Sequence, residues 1–124
     1  MKYIIEIHLE HKNDVFRKIE IPGENSLEDL HNNIISSLEL DKKQMASFYL
    51  TNEKLELLEE IPLFKIDEEK CNEMSKIKIN TAFSNINNQL IYIYDFLKMW
   101  RFLVTCCNLS DKTSNKIELV DSIG

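Results

Sequence analysis

Two apolar runs separated by only two residues dominate the last third of this chain. The first is Ile91-Tyr92-Ile93-Tyr94-Asp95-Phe96 and the second is Met99-Trp100-Arg101-Phe102-Leu103-Val104, with Leu97-Lys98 between them. β-Branched and aromatic residues at this density, broken by so short a turn, predict an antiparallel hairpin. Alternation puts Tyr92, Tyr94 and Phe96 on one face and Ile91, Ile93 and Asp95 on the other. Trp100, Phe102, Val104 and Cys106 share one face of the partner strand. Both faces are substantially apolar, so the pair is expected at the centre of a sheet and covered on both sides. The chain has 124 residues, which suits one domain around one core.

The upstream sequence supplies neighbours for that hairpin. Tyr3, Ile5, Ile7 and Leu9 alternate with Ile4, Glu6 and His8, the signature of a strand with one mostly polar face. His11-Lys12-Asn13-Asp14 is a turn cluster, Val15 to Ile21 reads as a second strand, and Pro22-Gly23 ends it. Ser26 is placed to cap a helix, and Glu28 and Asp29 suit its positive end. Leu27, Leu30, Ile34 and Leu38, with Ile35 beside them, recur at helical spacing and predict a helix to about Leu38 with that stripe on the sheet. Asp41 to Gln44 is a polar turn or short helix, Ser47 to Thr51 a third strand, and Asn52-Glu53-Lys54 its closing turn.

The middle is less regular. Leu55, Leu57 and Leu58 suggest a short strand, and Ile61-Pro62-Leu63-Phe64 a segment tucked under the core. Asp67-Glu68-Glu69-Lys70 is a solvated run in a loop that continues through Met74. Lys76-Ile77-Lys78-Ile79 alternates like a short strand, and Asn80 or Thr81 can cap a brief helix covering Ala82, Phe83 and Ile86 before the Asn87-Asn88 turn. The fold class is therefore α+β: a mixed or antiparallel sheet, one main helix, and the order ββαβ…ββ. Residues 1–109 form the domain. Residues 110–124 form a polar tail that either docks a short strand through Ile117, Leu119, Val120 and Ile123 or stays mobile.

Charge narrows the partners. The 21 acidic residues outnumber the 15 basic ones, for a formal net charge of -6. Duplex DNA binding works by neutralising phosphates, so nucleic acid is an unfavoured partner and protein the favoured one. No run approaches the apolar length of a membrane helix, and Glu6 and His8 interrupt the N-terminal stretch, so neither a membrane anchor nor a signal peptide is expected and a cytoplasmic location is the default. The three cysteines, Cys71, Cys106 and Cys107, are odd in number and irregular in spacing, which points to reduced thiols.

Three stretches together resemble the plasmid ORF-three-like family, named after an open reading frame on an Agrobacterium root-inducing plasmid. Phe16-Arg17-Lys18-Ile19 matches the family's Trp-Arg-Arg-Ile-like stretch, and Asp29-Leu30-His31 matches an Asp-Leu-His in its helix. Tyr92-Ile93-Tyr94-Asp95-Phe96 through Trp100 matches its Tyr-x-Tyr-Asp-Phe-Gly-Asp-x-Trp hairpin, the most specific of the three. The resemblance runs over residues 3–109 and implies a bacterial protein with a compact α+β fold of β-grasp type. Function in the family is uncharacterised, and some relatives carry resolvase or recombinase labels. Departures occur where the family is polar. Its Gly-Asp at the hairpin tip is Leu97-Lys98 here, the histidine after it is Phe102, and a His-x-His before the third strand falls on Gln44 and Ala46.

No catalytic constellation emerges. His8 and His11 have no third ligand close in sequence, and neither C-x-x-C nor H-E-x-x-H occurs, so no metal is expected. Cys106 and Cys107 sit in an apolar strand, where thiols are usually inert, although His31 is a conceivable base for them. With Gly23 and Gly124 as the only glycines there is no phosphate loop, and with Arg17 and Arg101 as the only arginines a serine recombinase site is unsupported. No cofactor is expected. Asp95 is the sharpest single residue, a carboxylate in an aromatic strand. It can cap the turn, pair with Arg101 or Lys98, or bind a ligand. His31 is read as a half-buried boundary residue. The favoured function is a non-enzymatic protein-interaction module that pairs through a sheet edge or open face, with Tyr49, Tyr92, Tyr94, Asp95 and Arg101 as candidate binding residues. The alternatives are an accessory of plasmid or mobile-element DNA processing and a small-ligand-binding domain.

Overall fold

The computed structural model describes residues 1–10, 15–64, 73–84 and 88–124. His11, the Asp67–Lys70 run, Cys71, Ile86 and Asn87 lie outside the described residues. Among the described residues, seven strands form one sheet: β1 (Lys2–Leu9), β2 (Phe16–Pro22), β3 (Ala46–Leu50), β4 (Glu60–Pro62), β5 (Gln89–Tyr94), β6 (Trp100–Ser110) and β7 (Glu118–Ile123). Their order across the sheet is β4-β3-β5-β6-β1-β2-β7. Every pairing is antiparallel, which decides between the mixed and antiparallel expectations and lends the β-grasp expectation no support.

One main helix, α1 (Leu27–Leu38), lies on one face of this sheet. Ser26 caps its start as anticipated, and Asp29 makes the cap reciprocal: the Ser26 hydroxyl accepts from Asp29 N–H at 3.2 Å, and the Asp29 carboxylate accepts from Ser26 N–H at 3.0 Å. Asn25 Nδ2 donates to the same carboxylate at 2.9 Å. Ser26→Ala is accordingly expected to lower stability by about 1 kcal/mol, read as a shift in the urea midpoint with an unchanged slope. The helix ends at Glu39, which takes a left-handed conformation at φ 55, while Leu40 N–H reaches back to Ile35 O at 2.9 Å.

The apolar stripe of α1 meets the inner face of the sheet. Leu27, Leu30, Ile34 and Ile35 pack in one cluster with Ile5, Ile7, Ile19, Ile21, Phe48, Tyr92, Phe102 and Val104. The central hairpin is therefore inner core, as its composition indicated. Coverage of the other face differs between the two strands. β5 is buried on both faces, whereas the outer positions of β6, Leu103, Thr105 and Cys107, are only half-buried.

The middle of the chain departs most from the sequence reading. No strand forms at Leu55–Leu58; the third strand pairs instead with Glu60–Pro62, whose Ile61 enters the core together with Leu63, while Phe64 points outward. The alternation at residues 76–79 makes no strand either. A 3-10 turn (Met74–Lys76) leads into a single bridge between Lys78 and Ser26, and a short helix, α2 (Ile79–Ala82), has its N-cap at Lys78, two residues before Asn80 and three before Thr81. Ile77 O accepts from Leu27 N–H and Ile79 N–H donates to Asn25 O, so this stretch spends its backbone groups on the entrance of α1. Gly23 sits in the same corner. A Cβ there would come within 2.8 Å of Tyr3 Cε1, which explains a glycine at the end of β2.

Of the two alternatives for residues 110–124, the structure shows the docked strand. β7 pairs with β2 and carries a bulge opposite Lys18–Ile19. Its approach is pinned by Lys112, whose Nζ lies 3.5 Å from Glu20 Oε1. Lys2 Nζ lies 3.5 Å from the same oxygen and is 1% exposed, so one buried carboxylate gathers two lysines. Among the described residues, no helix is long and apolar enough to cross a membrane.

Candidate functional site

The end of the sheet at which β5 turns into β6 collects the features that could act on another molecule. It is built from the inside. Tyr94 is buried, and its hydroxyl donates to Asp41 O at 2.8 Å and accepts from Asp41 N–H at 2.9 Å, tying the hairpin to the loop after α1. Asp95 N–H then bonds Met45 O at 2.9 Å. Beyond that point the chain leaves the sheet. Asp95 and Met99 both adopt left-handed backbone, at φ 58 and 53, an uncommon choice for residues other than glycine. The turn between them is closed by Lys98 N–H and Met99 N–H donating to Asp95 O at 3.0 and 2.6 Å. The Asp95 carboxylate accepts Leu97 N–H at 3.2 Å. Asp95 thus spends its carboxylate inside the turn.

This five-residue tip, longer than the two-residue turn read from the sequence, carries Phe96 out of the core and into solvent. Leu97 is 97% exposed, and Phe96, Met99 and Trp100 range from 38% to 51%. Below the tip is an apolar pocket of about 270 Å³ lined by Leu9, Val15, Leu38, Leu40, Trp100 and Phe102. Arg17 and Gly124 close one side of it.

Arg17 is 8% exposed and, among the described residues, its guanidinium bonds only to main chain: Nε to Ser37 O at 3.1 Å, and the two terminal nitrogens to Phe16 O at 2.7 Å, Ile123 O at 2.8 Å and Gly124 O at 2.9 Å. One guanidinium therefore locks the last residues of β7 to the end of α1. The periodicity of β2 gave no hint of this, because an arginine in a short strand looks like a solvated position.

The five candidate residues do not form one site. Tyr92 and Tyr94 face the helix and are buried, Asp95 is in the tip, and Tyr49 and Arg101 stand on the outer face. Tyr49 OH and Ser47 Oγ both donate to Glu60 Oε2, at 3.1 and 2.7 Å. Burial, reinforced by that carboxylate, pushes the Tyr49 hydroxyl up to about 12. Arg101 pairs with Glu10 rather than Asp95, at 2.9 Å between Nε and Oε2, and donates a second bond to Leu55 O.

His31 corrects the boundary reading. It is 2% exposed, and its Nδ1 lies 2.7 Å from Tyr92 OH. Burial lowers the imidazole to about 4 and raises the Tyr92 hydroxyl, so the pair is neutral on both sides at ordinary pH. Burial likewise raises both described thiols; Cys106 Sγ sits 3.6 Å from Asn108 O and Cys107 Sγ 3.5 Å from Ile4 O. Neither arrangement activates a nucleophile. Among the described residues no group of three His, Cys, Asp or Glu side chains could hold a metal ion.

The chain's relatives fit this picture. Residues 1–121 match the family described as plasmid pRiA4b ORF-3-like protein. The chain belongs to that family. Among solved structures, it resembles the protein of unknown function MM3350 from Methanosarcina mazei Go1, at 19% identity and a TM-score of 0.81, covering 98% of this chain and 68% of that one. At that identity the likeness shows the fold. No curated protein matches.

The stretches that carry the family resemblance have structural work in this member: Arg17 holds β7, Asp29 closes the helix cap, His31 bonds Tyr92, Tyr94 clamps Asp41, and Asp95 closes the tip. Its departures fall into two environments. Ala46 and Phe102 are buried and apolar, where they fill core volume, whereas Gln44 before β3 and Leu97-Lys98 at the tip are exposed.

Proposed function

We propose that this member of the plasmid pRiA4b ORF-3-like family is a non-enzymatic protein-interaction module that docks through the hairpin tip. The observation that carries this reading is the exposure of four large apolar side chains, Phe96, Leu97 and Met99 on one hydrogen-bonded five-residue turn and Trp100 at the start of β6. Isolated exposed apolar residues are ordinary; a contiguous cluster that the fold holds away from its own core is characteristic of a contact surface. Asp95 contributes by fixing the turn and Arg101 by bracing its base against Glu10.

The sheet edges are less suited to docking. β4 is three residues long and ends in Pro62, and β7 carries a bulge together with Glu118 and Asp121. Short length, proline, bulges and edge charges all discourage strand addition. The acid excess of the chain favours a protein partner over nucleic acid. The test is a photoreactive phenylalanine analogue at position 97, irradiated in the cells that make the protein. A defined higher-mass adduct from position 97, absent when the analogue sits at exposed position 113, is the expected result. Absence of any adduct at 97 would overturn the reading.

A further inference from the structure

We propose that β7 is a releasable strap that gates the apolar pocket at the base of the hairpin tip, hinged at its start and latched at its end by Arg17. The inference goes beyond the docking surface and does not depend on it.

The first argument is how little of β7 is built into the fold. All its side chains are exposed, and among the described strands it pairs with β2 alone. Its two ends are held differently. Just before the strand, Ile117 packs half-buried against the core, and Lys112 reaches the buried carboxylate of Glu20. At the far end no side chain of β7 is buried. There the hold beyond the strand ladder is the Arg17 guanidinium, which donates to Ile123 O at 2.8 Å and to Gly124 O at 2.9 Å.

The second argument is where that latch sits. Arg17 and Gly124 are both walls of the pocket of about 270 Å³. Its other described walls come from β1, α1, β6 and the residues beside them. Arg17 also donates to Ser37 O in the last turn of α1, next to the pocket wall at Leu38. One guanidinium therefore joins the strap, the helix end and the pocket. Lifting the end of β7 takes away one wall and leaves the others standing.

The third argument is cost. A strand with every side chain exposed gives up no buried side chain of its own when it lifts, and water can satisfy its freed main chain. β2 stays in the sheet through its pairing with β1, from Lys2↔Pro22 to His8↔Phe16. Opening is then a local event with a smaller free energy than global unfolding.

Trp100 reports on the gate. It is the only tryptophan of the chain and lines the pocket together with Gly124, so acrylamide quenching of its fluorescence measures the opening. Arg17→Met removes the latch, but it also alters a wall. The cleaner variant carries Leu119→Pro and Val120→Pro in one chain. Both positions are half-exposed and neither lines the pocket. Two successive prolines remove every main-chain donor that this stretch can offer β2. The expected result is loss of amide protection in β7, retained protection in β1, β5 and β6, and stronger quenching of Trp100 than in the wild type. In the wild type, quenching should rise at the denaturant concentration where β7 amides lose protection, below the main transition. Wild-type quenching in a proline variant whose β7 is unprotected overturns the gate. So does a β7 that keeps its protection in that variant, because the strap then does not lift as one piece. A wild-type Trp100 whose quenching changes only with global unfolding overturns it as well.

Discussion

Arg17→Met is expected to lower the unfolding free energy by about 3–4 kcal/mol and to release β7 before the rest of the sheet. Methionine keeps most of the stem volume but takes away the four bonds from the guanidinium to Ser37, Phe16, Ile123 and Gly124 carbonyl oxygens. Bonds from a charged donor are worth more than neutral ones, and the acceptors left near the helix end lose their partner without gaining free access to water. The loss is concentrated at β7, whose side chains are otherwise all exposed and whose contacts are confined to one neighbouring strand. Hydrogen exchange reads the pattern directly: amides of Glu118–Ile123 should lose protection at denaturant concentrations that leave β1, β5 and β6 protected. Uniform loss across all strands would show that β7 is not a separately anchored element.

The second large effect is a loss of stability in acid through His31. In the folded protein this imidazole stays neutral down to about pH 4, because it is buried against Tyr92, whereas the unfolded chain takes up the proton near its ordinary value of 6.5. Between those values the unfolded state binds the extra proton, so stability is complete above about pH 6.5 and falls as the pH drops toward 4. The lowered value corresponds to about 3 kcal/mol at the acid end, a large share of the 5–15 kcal/mol typical of a domain. Urea unfolding at a series of pH values measures it. His31→Phe should cost stability at neutral pH, since Tyr92 OH then lacks its partner, and should flatten the pH dependence between 6.5 and 4. If wild type and variant show the same slope over that interval, His31 is not the group responsible.

These two residues also show where sequence reasoning reached and where it stopped. His31 lies inside the apolar stripe of α1, between Leu30 and Ile34, so its position near the core was legible. Its full burial was not, because an imidazole enters a core only when a partner accepts or donates across the interface, and Tyr92 lies 61 positions away in the chain. Arg17 is the same case with a larger consequence, since its partners come from β2 itself, the end of α1 and the end of β7. The hairpin tip failed for a local reason. Alternation in the sequence runs through Phe96, but the left-handed Asp95 ends the pleat at Tyr94, two residues earlier, and turns Phe96 and Leu97 out of register.

The sequence by itself determined what depends on neighbours along the chain: the period-2 strands β1, β2, β5 and β6, the capped amphipathic α1, the absence of a glycine-rich phosphate loop, and the family. Only the tertiary structure decided what depends on residues far apart in the chain. The order of the described strands, the docking of β7 and the burial of Arg17 and His31 all arise from contacts between distant segments. Periodicity is a property of successive residues, and it fixes which face of an element is apolar. It carries no information on which distant polar group will satisfy a buried one, and in this protein those pairings shape both the stability and the surface through which it is proposed to act.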